Sequence, residues 1–212
     1  MDLTWSLLIA THVARHRPFE LWLRSLGPQV LPGMEVVVYW NRGGLNIGTY
    51  RQALLDESRG EYVSFADDDD RLPPYFCSEV MAALASKPDY VGFELKFTDR
   101  SRPTQRTGRA FHSLENNGWS TEPRGYLRDI THLNPIRREI AMKGTFEGIR
   151  GEDRQWAEQI RPYVKTQVYV DRVMYFYDYN RRKSQRGGEY VESPHKPPKL
   201  PEGFRYHPAS DS

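Results

Sequence analysis

Gly60-Glu61-Tyr62-Val63-Ser64-Phe65-Ala66-Asp67-Asp68-Asp69-Asp70-Arg71-Leu72-Pro73 is the stretch on which the fold turns. Glu61 to Ala66 is a short apolar run suited to a buried strand, and four aspartates follow it directly. In an open α/β sheet, ligands bind beyond the carboxyl ends of the strands, which is where this run falls. Asp67 and Asp69 are two apart, so on a locally extended segment they point the same way while Asp68 and Asp70 turn elsewhere. Such a pair can serve Mg2+ or Mn2+, directly or through water. The bland reading is a solvated turn or helix start, because Asp is favoured at N-caps and in first turns. Against it, four like charges in series repel, and a cation relieves them.

Working outward, Trp5 to Ala10 is an apolar run ending in Thr11-His12, and Phe19 to Leu26 carries apolar residues at helical spacing. After the break Leu31-Pro32-Gly33, Glu35 to Trp40 reads as a buried strand. A glycine-rich turn region, Asn41 to Gly44 and Asn46 to Gly48, precedes a helix from Tyr50 to Ser58 that Arg59-Gly60 ends. Beyond the aspartates come a helix from Tyr75 to Leu84 and a strand from Asp89 to Leu95. Strand and helix alternate three times, which predicts an α/β domain with a mostly parallel sheet covered by helices on both faces. From Lys96 to Trp119 periodicity fails and a long loop is expected. Glu152 to Ile160 predicts a helix, Val168 to Tyr177 one or two strands, and the Pro- and Gly-rich end from Gly187 a tail or an arm wrapped over the domain.

The 212 residues suffice for one domain with an interior large enough to enclose a cleft. Thirty basic against twenty-eight acidic residues give a net charge of +2, so global charge does not announce nucleic-acid binding. The single cysteine, Cys77, excludes an internal disulfide framework and multi-cysteine metal sites, and reads as a small buried hydrophobe. The first ten residues start acidic and fit neither a basic-headed signal peptide nor a membrane span. A cytoplasmic protein is expected, in the host cytoplasm if it is phage-encoded.

Three groups of residues, in order, resemble family 2 glycosyltransferases of the GT-A fold. They are Ser6 to His12 with Glu35 to Val38 and Gly60 to Pro73; Asn134 to Ala141 with Thr145-Phe146-Glu147 and Gly151-Glu152-Asp153; and Val173 to Tyr177 followed by Ser184. The match covers roughly Leu7 to Ser184. It implies a Rossmann-like domain over 1–186, with a nucleotide-sugar half over 1–95, an acceptor half over 96–186, and an extended tail over 187–212. It further implies a nucleoside-diphosphate sugar donor, UDP-linked in expectation, a metal on the acidic motif, and inversion at the anomeric carbon in one displacement. Asp67 and Asp69 match the Asp-x-Asp positions, and Asp153 the catalytic base. Direct displacement needs such a base on the acceptor side, within reach of the hydroxyl it deprotonates. Without the resemblance, Gly151-Glu152-Asp153 is an acidic helix start.

This sequence departs from the family pattern after the second strand, where Tyr39-Trp40-Asn41-Arg42 stands in place of an acidic run. The nucleobase is then expected to stack on Tyr39 or Trp40 and bond to Asn41. Thr11, Arg51, Asp67 and Asp68 complete the expected nucleotide and diphosphate set, with Arg51 equally able to pair with the acidic run. Asp178-Tyr179-Asn180 occupies the place of a frequent histidine, and His132 is the candidate replacement on the metal side. For the acceptor, Trp119, Glu152, Arg181 and Arg182 are the candidates. The basic residues of Lys96 to Arg109 and of Arg181-Arg182-Lys183 with Arg186 allow a polyanion, so the acceptor is either a hydroxymethylated base in phage-type DNA or a carbohydrate or small molecule. Two rivals share the features: a nucleotidyltransferase or other metal-dependent phosphoryl-transfer enzyme, and a noncatalytic sugar-nucleotide or nucleic-acid binding module.

Overall fold

Strands β1 (Trp5–His12), β2 (Met34–Asn41) and β3 (Tyr62–Phe65) run parallel, with β1 in the middle. The computed structural model describes residues 3–42, 45–99, 106–148, 150–179 and 196–208. Every residue of β2 is buried, as expected for a strand covered on both faces. Side chains alternate along β1: Trp5, Leu7 and Ile9 join one core, and Leu8 joins the other. Helix α1 (His16–Leu26) buries Phe19, Trp22, Leu23 and Leu26 against the first core, the i, i+3, i+4, i+7 spacing of a single helical face. Helix α3 (Phe76–Leu84) packs on the same side, where the Phe76 ring lies 5.8 Å from that of Trp5.

The opposite face is covered by α2 (Ile47–Glu57) and, further along the chain, by α4 (Arg138–Ala141) and α5 (Glu152–Ile160). Asn46 caps α2 by accepting from the Thr49 N–H at 3.0 Å. Trp156 and Phe146 stack at 4.8 Å inside this second core. A fully buried side chain of this size contributes about 1.5–3 kcal/mol. Two such layers hold the carboxyl ends of β1, β2 and β3 at one rim, so Thr11, Asn41 and Asp67 share it.

The second half of the sheet is mixed. Strand β4 (Tyr90–Asp99) pairs antiparallel with β5 (Arg106–His112) and parallel with β9 (Gln167–Tyr179). The loop expected over Lys96 to Trp119 is therefore largely a β-ribbon, running from Phe93↔His112 to Asp99↔Arg106. Its sequence hides this because β5 is Arg-Thr-Gly-Arg-Ala-Phe-His with most positions solvated, and pairing with β4 overrides weak local propensity. Strands β6 (Ser120–Glu122) and β7 (Gly125–Arg128) form a hairpin, and β7 runs parallel to β5. Gly125, at φ 145°, is required there: a Cβ would stand 2.3 Å from the Arg109 carbonyl oxygen. Strand β8 (Ile136–Arg137) joins β3 to β4, and β10 (Phe204–Tyr206) adds to the outer edge of β2. The sheet order is β10-β2-β1-β3-β8-β4-β5-β7-β6, with β9 beside β4. Among the described residues no helix is long and apolar enough to cross a membrane.

Candidate functional site

The four aspartates leave β3 into four different environments. Asp68 is buried; its Oδ2 accepts from the Thr11 hydroxyl at 2.5 Å, and its Oδ1 pairs with Arg15. Burial pushes its pKa up, Arg15 and Thr11 pull it down, and the carboxyl ends at about 6. Asp70 is also buried; its Oδ1 accepts from the Asp178 N–H at 3.0 Å, while Oδ2 has no protein partner. Burial and the neighbouring Asp67 and Asp69 raise its pKa to about 9, so Asp70 is neutral at pH 7. Only Asp67 and Asp69 keep exposed carboxylates, with side chains 26% and 32% accessible. Asp69 lies 3.3 Å from Arg15, and Asp67 accepts from Arg51 Nη2 at 3.0 Å. The repulsion expected within the run is therefore relieved by the protein itself, through two arginines and one protonated carboxyl.

Arg51 connects this run to a distant helix. It is buried on α2, and its Nη1 donates to Glu152 Oε1 at 2.5 Å. Glu152 is itself buried and supports Arg51 by this ion pair. Gly151, in the left-handed region at φ 72°, turns the chain into α5, and Asp153 follows in the first turn. His132 stands between the two acidic groups, with Nε2 3.8 Å from Asp67 and Nδ1 3.5 Å from Asp153. Its backbone is anchored to β3, where the Phe65 N–H donates to the His132 carbonyl at 2.8 Å. Both ring distances exceed a good hydrogen bond, so the imidazole stands between two carboxylates as an electrostatic neighbour of each. Burial lowers its pKa, but Asp153 and Asp67 raise it further. Burial raises the Asp153 carboxyl, and the His132 bond, its charge and Arg51 reverse this, leaving about 2. The same balance, led by Arg51 against burial, keeps Asp67 ionised.

These groups open into a cleft of about 540 Å³. Arg51, Asp67, His132, Glu152 and Asp153 line one side, and Phe97, Trp119, Tyr126, Arg128 and Tyr177 the other. Trp119, expected to meet the acceptor, donates its indole N–H to the Ile130 carbonyl at 3.1 Å and supports the Arg128 guanidinium 4.7 Å above its ring. Tyr39 is buried with its ring against Tyr50 and His207, at 5.5 and 4.9 Å, and Asn41 bonds to Tyr50. Those contacts take up side chains expected to hold a nucleobase. Arg181 and Arg182 lie outside the described residues.

Sequence reasoning missed Arg15, Arg128 and His112. Arg15 follows Thr11 by four residues across the turn out of β1, and no motif marks it. Arg128 did carry a signal, because Tyr126-Leu127-Arg128 alternates around a buried Leu127 and so aims Tyr126 and Arg128 to one side. His112, buried in the lining of the cleft, places Nδ1 2.7 Å from Asn134 Oδ1. The Asn134 amide donates to the Val91 carbonyl, so its Oδ1 is the acceptor and His112 Nδ1 carries the proton. Burial drives the His112 pKa down to about 4.

The sequence profile of Glycosyl transferase family 2 matches residues 32–145, from the start of β2 through the acidic run to the end of α4. The chain belongs to this family. Among solved structures, this family 2 glycosyltransferase resembles S. aureus TarS 1-349 with a TM-score of 0.62 and 17% identity, over 82% of this chain and 60% of that one. For the same protein in complex with UDP-GlcNAc the values are 0.62 and 17%, over 91% and 62%. In complex with UDP they are 0.60 and 16%, over 83% and 60%. At this identity the likeness is one of fold. The chain spans about 60% of the length of TarS 1-349. No match is found among curated proteins.

Family membership raises the matter of a divalent metal. Among the described residues no group of three or more His, Cys, Asp or Glu side chains is arranged to hold one. Asp67 and Asp69 nonetheless present hard carboxylate oxygens on accessible side chains at the rim. Two carboxylates fit Mg2+ or Mn2+ when water and substrate phosphates complete the coordination.

Proposed function

We propose that the protein transfers a sugar from a nucleoside-diphosphate donor, UDP-linked, to an acceptor hydroxyl, with inversion in a single displacement. The observation that carries this reading is His132, which brings Asp67 and Asp153 to one ring at the mouth of one cleft. Donor-side and acceptor-side carboxylates, 86 positions apart by subtraction of their numbers, meet there. For the donor, support comes from TarS, whose fold is shared and whose structures contain UDP-GlcNAc and UDP.

In this mechanism Asp153 accepts the proton of the acceptor hydroxyl. The hydroxyl oxygen attacks the anomeric carbon from the face opposite the diphosphate, and the electron pair of the breaking bond leaves on that diphosphate. With a pKa near 2, Asp153 is ionised at neutral pH and ready to accept; its weak basicity makes positioning the larger contribution. Arg51 and His132 fix Asp67 and Asp153 relative to one another. Asp67 and Asp69 would hold a divalent ion, which when bound would supply neutralisation of the departing diphosphate.

The acceptor hydroxyl belongs to a sugar or polyol in this reading. Of the basic side chains that favoured a hydroxymethylated DNA base, Arg109 is paired with Glu94 at 2.9 Å. Arg100, Arg102, Arg181, Arg182, Lys183 and Arg186 lie outside the described residues. The test is to incubate the protein and Mn2+ or Mg2+ with a panel of UDP-sugars. UDP release is then measured with saccharide, polyol and hydroxymethylated-oligonucleotide acceptors. Acceptor-stimulated UDP release is expected. No release with any donor, together with pyrophosphate formation from a nucleoside triphosphate, would move the protein to the nucleotidyltransferase class.

A further inference from the structure

Two arginines line the cleft, and their surroundings differ. Arg51 is ion-paired with Glu152 and Asp67. Arg128 has no carboxylate partner among the described residues. Its two hydrogen bonds, to the carbonyls of Ser120 at 2.9 Å and Leu127 at 2.7 Å, both use Nη1. Nε and Nη2 are left for a ligand, and together they form one edge of the planar fork. The guanidinium is fixed between the rings of Trp119 at 4.7 Å and Tyr126 at 5.5 Å. Burial disfavours its charge, and the nearby Arg154 adds to this.

A half-buried cation in the lining of a cleft, set beside two aromatic rings and with two donors that no described residue takes up, is a preorganised anion receptor. Asp153 lines the same cleft and favours the Arg128 charge from a distance, but among the described residues it makes no ion pair with Arg128, and its near partner is His132. Resting on the glycosyl-transfer reading, we infer that the acceptor is an anionic polyol or sugar whose carboxylate or phosphate is received by Arg128 while its hydroxyl faces Asp153. Trp119 and Tyr126 hold Arg128 in place, which makes them positioning residues for acceptor recognition.

The experiment is calorimetric titration of two matched pairs, with and without UDP: methyl β-D-glucuronide against methyl β-D-glucoside, and glycerol 3-phosphate against glycerol. The charged member of at least one pair should bind about tenfold more tightly, the effect of one charge-assisted fork contact. The preferred pair tells carboxylate from phosphate. Arg128→Gln should level the pairs, and Arg128→Lys, which keeps the charge but not the fork, should retain part of the preference. Thermal melting reports whether each variant folds; if Arg128→Gln does not, a reduced preference in Arg128→Lys decides. Equal binding within both pairs, absence of binding by all four compounds, or a preference that survives Arg128→Gln would overturn the inference. UDP affinity, measured in the same titrations, separates this from failure of the donor reading: a protein that ignores UDP yet prefers the charged compounds loses the transfer assignment and keeps the anion site.

Discussion

The acidic run, which reaches the cleft through Asp67, and the aromatic wall of that cleft differ in how their charges are paired. In the run, nearly every charge is spent within the protein: Arg15 on Asp68 and Asp69, Arg51 on Asp67 and Glu152, and the Asp70 carboxyl by holding its proton. On the wall, Arg128 has two backbone bonds and two rings, and no carboxylate. Density of charged residues in a sequence therefore marks a site without marking its reactive groups. Asp67 and Asp69 stay accessible because their neighbours are buried and neutralised.

Substitutions that unbalance the two regions should differ sharply in their effect on stability. Arg51→Met leaves Glu152 buried and unpaired, and urea unfolding should show a loss of about 3–5 kcal/mol. A loss below about 1 kcal/mol would mean that the network is looser than its burial implies. His112 provides the next largest effect. Its folded pKa of about 4 lies below the ordinary imidazole value of 6.5, so the unfolded chain binds the extra proton first. Stability is full above pH 6.5 and is lost as pH falls toward 4. The 2.5-unit difference is worth about 3 kcal/mol. Urea unfolding across that window should show the slope, and His112→Gln should flatten it. Thr11→Val removes one of two partners from the buried Asp68 and should cost about 1–2 kcal/mol, read as a lower melting temperature. Arg128→Gln should be smallest, under about 1 kcal/mol, because no buried charge is orphaned. If it matches Arg51→Met, Arg128 is scaffold and the contrast between the regions fails.

The first half of the fold was legible because β1, β2 and β3 are continuous apolar runs and α1 and α3 present clear apolar faces between Pro and Gly breaks. The β4–β5 ribbon was not, since Arg106 to Arg109 carries no apolar alternation and owes its conformation to pairing with β4. For the site, sequence order brought out Asp67, Asp69 and Asp153, and spacing separated Asp68 and Asp70 from them. What it could not supply were the partners. Thr11 and Glu152 look like ligand-binding groups in one dimension, and the fold gives each a buried partner, Asp68 and Arg51. Tyr39 lies on a strand end suited to a nucleobase, yet His207, from near the end of the chain, packs against it. Such long-range contacts leave no local trace.

The central claim is a division of labour, with Asp67 and Asp69 on the donor and Asp153 on the acceptor proton. Titrating a UDP-sugar that supports turnover into wild type and Asp153→Asn, alongside measurement of UDP release, tests it directly. The account predicts turnover reduced by about 10²–10⁴-fold with the donor dissociation constant essentially unchanged. Loss of donor affinity in parallel with turnover, or turnover that persists in Asp153→Asn, would contradict it.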